Sequence, residues 1–202
     1  MTEIGAVHVK ALRDATGAGM MDCKRALEEA GGDLEKATEL LRQKGLASAH
    51  KRAGRAADQG LIESYIHFNN TVGVLVEVNC ETDFVANTDE FRRLAKDVAL
   101  HIASPSAPHY VDRDQVPDEK LEYERRIYEA QVREQGKPED RIPMIVEGKL
   151  EKFYKETVLL DQPFVKDDSR TVRQLLDEIS AKVGEKVAVR RFVRYKLGED
   201  GK

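Results

Sequence analysis

Val72-Gly73-Val74-Leu75-Val76-Glu77-Val78-Asn79-Cys80 alternates strictly, with Val72, Val74, Val76, Val78 and Cys80 on one side and Gly73, Leu75, Glu77 and Asn79 on the other. That period of two predicts a strand with one apolar and one mixed face, the kind that packs helices on one side only. Upstream, Leu61 to Phe68 is rich in β-branched and aromatic residues, and Asn69-Asn70 between the two runs is turn material, so the pair reads as a hairpin. Downstream, Phe91, Leu94, Ala95, Val98 and Ile102 form one helical stripe from about Asn87, ended by Ser104-Pro105, with Asn87 and Glu90 spaced as a cap. Val187 to Leu197 supplies a third strand, placing Val187, Val189, Val193, Tyr195 and Leu197 opposite Arg190, Arg194 and Lys196.

Away from this sheet the periodicity is helical. Between residues 4 and 44, three short helices are expected: Ile4, Val7, Ala11 and Leu12 before Thr16-Gly17-Ala18-Gly19; Cys23, Ala26, Leu27 and Ala30 before Gly31-Gly32; and Leu34, Ala37, Leu40 and Leu41 after a capping Asp33. Residues 42 to 57 carry Arg42, Lys44, Lys51, Arg52 and Arg55 without an acid and are rich in alanine, which reads as a helical linker. Charged helices are expected near 117–135 and 139–157, the second interrupted or started late by Pro143 and Gly148, and Val172, Leu175, Leu176, Ile179 and Val183 mark another that Gly184 stops. The expected fold is α+β: a three-helix module over 1–45, a basic helical linker over 46–59, and a core over 60–202 in which a small three-stranded antiparallel sheet is packed with helices.

The composition narrows the function. Of 202 residues 41% are hydrophobic and 35% charged, the signature of a globular chain. No run approaches the roughly 18 uncharged apolar residues of a membrane span, and Met1-Thr2-Glu3 does not open like a signal peptide, so a cytoplasmic protein is expected. Cys23 and Cys80 are too few for a disulfide framework and lack zinc-site spacing. With 33 Lys and Arg against 37 Asp and Glu, the net charge of -4 gives no general field for phosphate backbones, so protein partners are expected before nucleic acid.

Catalytic and metal motifs are absent. The five histidines, His8, His50, His67, His101 and His109, show no H-x-x-x-H or H-E-x-x-H spacing, and there is no G-x-S-x-G or lysine motif. Thr16-Gly17-Ala18-Gly19 lacks the P-loop pattern and follows no strand. Met20 and Met21 open the second helix, whose core stripe is already filled; one is buried and one incidental, or the pair is an adaptable binding surface. His67 lies near the hairpin tip, as surface decoration or as a contact. The most informative segment is Thr82-Asp83-Phe84-Val85-Ala86-Asn87, where Phe84 and Val85 fall in no register of strand or helix: Phe84 either probes another protein or tucks under its own sheet.

At these residues the chain resembles the translation elongation factor Ts family. The run Leu12 to Leu27, with Arg13, Met20 and Met21, is similar to the family's amino-terminal signature, and Val78 to Asn87 to its second; Val72 to Glu77, Gly136-Lys137-Pro138, Gln162 to Val165 and Arg190-Arg191-Phe192 extend the likeness. The resemblance implies a guanine-nucleotide exchange factor, not an enzyme, for the GTPase elongation factor Tu. It implies a ubiquitin-associated-like (UBA-like) module docking through Arg13, Met20 and Met21, a second contact at His67, and intrusion near the magnesium and phosphate site by the segment Thr82, Asp83, Phe84 and Val85. Neither cofactor, bound metal nor small-molecule substrate is implied for the chain itself. Longer relatives duplicate the core, so this single-core form is expected to act as a homodimer. The rival reading is a passive helical protein-binding module on a scaffold core.

Overall fold

The computed structural model describes residues 5–52 and 54–199, Leu46 and His50 by backbone alone. Helices α1 (Ala6–Thr16), α2 (Met20–Glu29) and α3 (Leu34–Arg52) lead into strands β1 (Gln59–Ile66) and β2 (Val72–Cys80). Then follow α4 (Asp83–Ala86), α5 (Asp89–Ile102), α6 (Asp118–Glu134) and α7 (Ile142–Thr157), a short hairpin of β3 (Pro163–Phe164) and β4 (Asp167–Thr171), α8 (Val172–Val183) and β5 (Ala188–Lys196). The expected α+β class holds: β1, β2 and β5 form a three-stranded antiparallel sheet in the order β1-β2-β5. The described chain divides into two compact units, one of Met1–Leu61, Val78–Arg92 and Gln174–Ala188, the other of Ile62–Glu77, Arg93–Arg173 and Val189–Lys202.

In the first unit, Val9, Leu12, Cys23, Ala26, Leu27 and Ala37 form the core of α1, α2 and α3. The α2 stripe is as expected. The α1 stripe is not: Val7 and Ala11 face solvent while Val9 and Leu12, three apart, point inward, and Ile4 lies outside the described residues. Asp33 does cap α3, its Oδ1 accepting from the backbone N–H groups of Glu35 (3.0 Å) and Lys36 (3.1 Å). The third helix and the first half of the linker are one helix, since α3 passes residues 45 and 46 without a break. It lies against α8: a Cβ at Gly45 would sit 2.9 Å from the Ala181 Cβ, and Arg52 Nη1 donates to the Ser180 carbonyl at 3.2 Å. Gly60 is required by β2, because at φ 149 a Cβ there would lie 2.2 Å from the Val78 carbonyl oxygen.

In the second unit, Val132, Ile142, Val146 and Leu150 join α6 to α7. Pro143 does not break α7; it stands in the first turn, where no intrahelical N–H is lost, and the helix starts late as expected. The β3–β4 hairpin was not expected, its strands being too short for a period. It is pinned by a buried polar node: His101 Nε2 donates to Gln162 Oε1 (2.9 Å), the Val165 N–H donates to His101 Nδ1 (3.1 Å), and Gln162 Nε2 donates to the carbonyls of Ser106 (2.8 Å) and Glu156 (2.9 Å). Burial holds the His101 imidazole below its ordinary pKa, so it serves as a neutral linker.

The far face of the sheet is open. Ile62, Ile66, Leu75, Val193, Tyr195 and Leu197 are all exposed, and of the alternating apolar residues from Val187 to Leu197 only Val187 and Val189 are buried.

Candidate functional site

The segment after β2 decides between the two readings of Phe84. Thr82 is extended (φ -128, ψ 153) and its Oγ1 accepts from the Val85 N–H at 3.3 Å, which starts the single turn α4. Four residues in a helical turn put Val85 and Ala86 on one side and Asp83 and Phe84 on the other. Val85 and Ala86 are buried, whereas Phe84 is 82% exposed. Phe84 does not tuck under its own sheet. The expected cap at Asn87 is also corrected: Asn87 ends α4, its Nδ2 donating to the Asp83 carbonyl at 2.9 Å, and Thr88 Oγ1 accepts from the Phe91 N–H (3.3 Å) to start α5. Sequence pattern missed this division because a one-turn helix has no stripe.

What holds the turn comes from elsewhere in the chain. Glu185, between α8 and β5, accepts from the Glu81 N–H (3.1 Å) and the Thr82 N–H (3.0 Å) at Oε2 and from the Thr82 hydroxyl (2.7 Å) at Oε1. Reciprocally, the Lys186 N–H donates to Glu81 Oε1 at 2.7 Å. That bond, with the Arg55 guanidinium nearby, holds the Glu81 carboxyl below the usual range. Burial pushes the Cys80 thiol up to about 11, leaving it an unreactive core residue. Asp83 is exposed, and its carboxylate makes no hydrogen bond or ion pair among the described residues.

The other predicted residues form two separate groups. Arg13 lies exposed on α1, and Met20 and Met21, 59% and 64% exposed, open α2, so neither methionine is a core residue. Gly17, at φ 70, makes the corner between these helices, its N–H donating to the Arg13 carbonyl at 2.7 Å, and Lys182 packs so closely that a Cβ would meet its Cε at 2.5 Å. In the second unit, His67 stands at the β1–β2 turn, its N–H donating to the Val72 carbonyl (2.9 Å) and its Nδ1 3.1 Å from the Tyr65 hydroxyl. Phe68 beside it, 87% exposed with its ring centroid 4.5 Å from that of His67, escaped the sequence reading because it was counted as the last residue of the strand. Among the described residues there is no cluster of three or more metal-ligating side chains, and no helix is long and apolar enough to cross a membrane.

The sequence profile of the family described as Elongation factor TS matches residues 35–199. The chain belongs to the elongation factor Ts family. It is 59% identical over 199 residues to an elongation factor Ts of Desulforamulus reducens, covering 98% of this chain and 91% of that protein. It is 59% identical over 191 residues to that of Carboxydothermus hydrogenoformans, covering 95% and 88%. Against that of Coprothermobacter proteolyticus it is 58% identical over 197 residues, covering 98% of this chain and 100% of the relative. Family membership makes the protein a translation elongation factor.

Proposed function

We propose that the chain is the guanine-nucleotide exchange factor for elongation factor Tu, acting in the cytoplasm, and that it releases GDP by disturbing the magnesium and phosphate site of that GTPase. The observation that carries this reading is the pairing of an exposed Phe84 with a base that is buried at Val85 and clamped at Thr82. An exposed phenyl ring on a fixed turn is costly in water unless it has an apolar slot to enter, and its insertion is worth roughly 1.5 to 3 kcal/mol. Asp83, with no partner of its own among the described residues, brings a carboxylate beside that ring, where it competes for or repels ligands of a metal. Exchange is then a matter of linkage: factor and GDP weaken each other's binding by the same coupling free energy, about 4 kcal/mol for a thousandfold effect.

Affinity comes from elsewhere. Arg13, Met20 and Met21 in the 1–45 module, with His67 in the core, are the proposed docking contacts. The open sheet face of Ile66, Leu75 and Tyr195 is the proposed homodimer surface, which gives the GTPase two single cores in place of one duplicated core. Sedimentation under reducing conditions tests the dimer, and a monomer at every micromolar concentration defeats it. Fluorescent GDP release from elongation factor Tu, with and without this protein, tests the function; a passive scaffold binds the GTPase and leaves the release rate unchanged.

A further inference from the structure

We infer that Glu185 is a positioning residue for exchange, setting through Thr82 the direction in which Phe84 leaves the surface. The inference rests on the exchange reading above and adds to it a residue 103 positions beyond the turn it controls. Phe84 is 82% exposed, so no packing of its own ring fixes where it points; its direction is inherited from the backbone of residues 82 to 85. That backbone hangs on Thr82. The Thr82 hydroxyl donates to Glu185 Oε1 (2.7 Å) while accepting from the Val85 N–H (3.3 Å), so one oxygen relays the carboxylate to the start of α4. Glu185 Oε2 takes the main-chain N–H groups of both Glu81 and Thr82. Three donors therefore converge on one carboxyl group, an arrangement stronger than a single hydrogen bond.

Glu185 is itself held. Its carbonyl accepts from the Ser180 hydroxyl at 2.5 Å, Lys186 Nζ donates to the Arg55 carbonyl at 2.8 Å, and the Lys186 N–H is bonded to Glu81 Oε1. The carboxylates of Glu81 and Glu185 thus each hold the other's stretch of main chain. Removal of only the Glu185 carboxylate leaves the Glu81 half of this exchange in place, which keeps the strand end attached while freeing Thr82 to rotate.

The test is GDP release from elongation factor Tu at saturating factor, with thermal melts and amide hydrogen exchange of residues 81–86 in the free protein. Glu185→Ala is expected to lower the saturated rate about tenfold, the scale of a lost charge-assisted hydrogen-bond set, while the concentration for half-maximal exchange stays within about twofold. Glu185→Gln, which keeps one acceptor for the two N–H groups, should recover most of that loss. Thr82→Val, which removes only the hydroxyl, should approach Glu185→Ala to within about twofold, and Thr82→Ser, which restores it, should recover most of that loss. In a Phe84→Ala background, Glu185→Ala should slow release no further, because it acts through that ring. A saturated rate unchanged in Glu185→Ala while Phe84→Ala is slow overturns the positioning role alone, and so does an undiminished tenfold effect in the Phe84→Ala background. Normal release by Phe84→Ala itself overturns the exchange reading instead. Unchanged amide protection at Thr82 and Val85 in Glu185→Ala overturns the clamp without any reference to the GTPase.

Discussion

Helices α2 and α4 both open by presenting bulky apolar side chains to water, Met20 and Met21 on the first and Phe84 on the second, yet the two openings are built differently. The residue before α2 is Gly19, which offers no side-chain cap, and the methionines that follow are flexible and polarizable. The residue before α4 is Thr82, which caps the turn and is itself tied to Glu185, and the phenyl ring that follows has only two side-chain torsions. A compliant surface adapts to a partner and contributes affinity; a braced one keeps its shape against resistance. One unit thus holds both properties, set by what stands at the N-terminus of each helix.

Removal of the ring has the largest expected effect. Phe84→Ala should slow GDP release at saturating factor by up to roughly a hundredfold, as loss of about 3 kcal/mol of insertion requires, and leave the melting temperature almost unchanged because the side chain is exposed. Stopped-flow release paired with thermal melts reads both, and a large fall in melting temperature with normal exchange by the folded fraction would return Phe84 to the core. Charging the compliant surface should act on the other quantity. Met20→Glu or Met21→Glu is expected to raise the half-maximal factor concentration about tenfold, the cost of about 1.4 kcal/mol of lost apolar contact, with the saturated rate preserved. Unchanged titrations for both variants would take the methionines out of the interface.

Two smaller changes sharpen the contrast by exchanging the caps. Thr82→Ala should cost about 1 kcal/mol of local stability, seen as faster amide exchange at Val85, together with a fall in saturated rate of about fivefold. Gly19→Ser supplies the cap that α2 lacks at a backbone (φ -61, ψ 145) that serine adopts, with the exposed Asp22 carboxylate, 3.0 Å from the added Cβ, moving slightly to admit it. It should raise the melting temperature by about one or two degrees, a few tenths of a kcal/mol, and leave exchange kinetics alone. A Gly19→Ser protein with a changed saturated rate would mean that the two helix openings are not independent.

Most of the fold was legible because long elements declare a period. The alternation of Val72 to Cys80 and the stripe from Phe91 to Ile102 gave the sheet and its covering helix, and all five residues of that stripe are buried, together with Ala99 and His101, which it did not include. Where elements are short or depend on distant partners, the signal fails. Asn87 looked like a cap because α4 has no stripe to reveal that a helical turn already ended there. Asn79, on the mixed face of β2, is buried because its Nδ2 finds the Ala57 carbonyl at 3.0 Å. Of the candidate site, Phe84 could be singled out by its lack of register, although the same reading took in Val85, which is buried, but Glu185 could not, since nothing around it in sequence distinguishes it from any acid after a helix. Its role depends on where the chain returns.

That return has a bearing on the order in which the molecule becomes competent during synthesis. The core of α1, α2 and α3 closes from neighbours in sequence, so it forms as soon as the first few dozen residues are free. The braced turn does not, since Thr82 waits for Glu185 across 103 residues and Arg52 for Ser180 across 128. A nascent or truncated chain that stops short of α8 therefore carries the adaptable methionine surface without the fixed ring, and on the exchange reading it would occupy the GTPase before it could empty it.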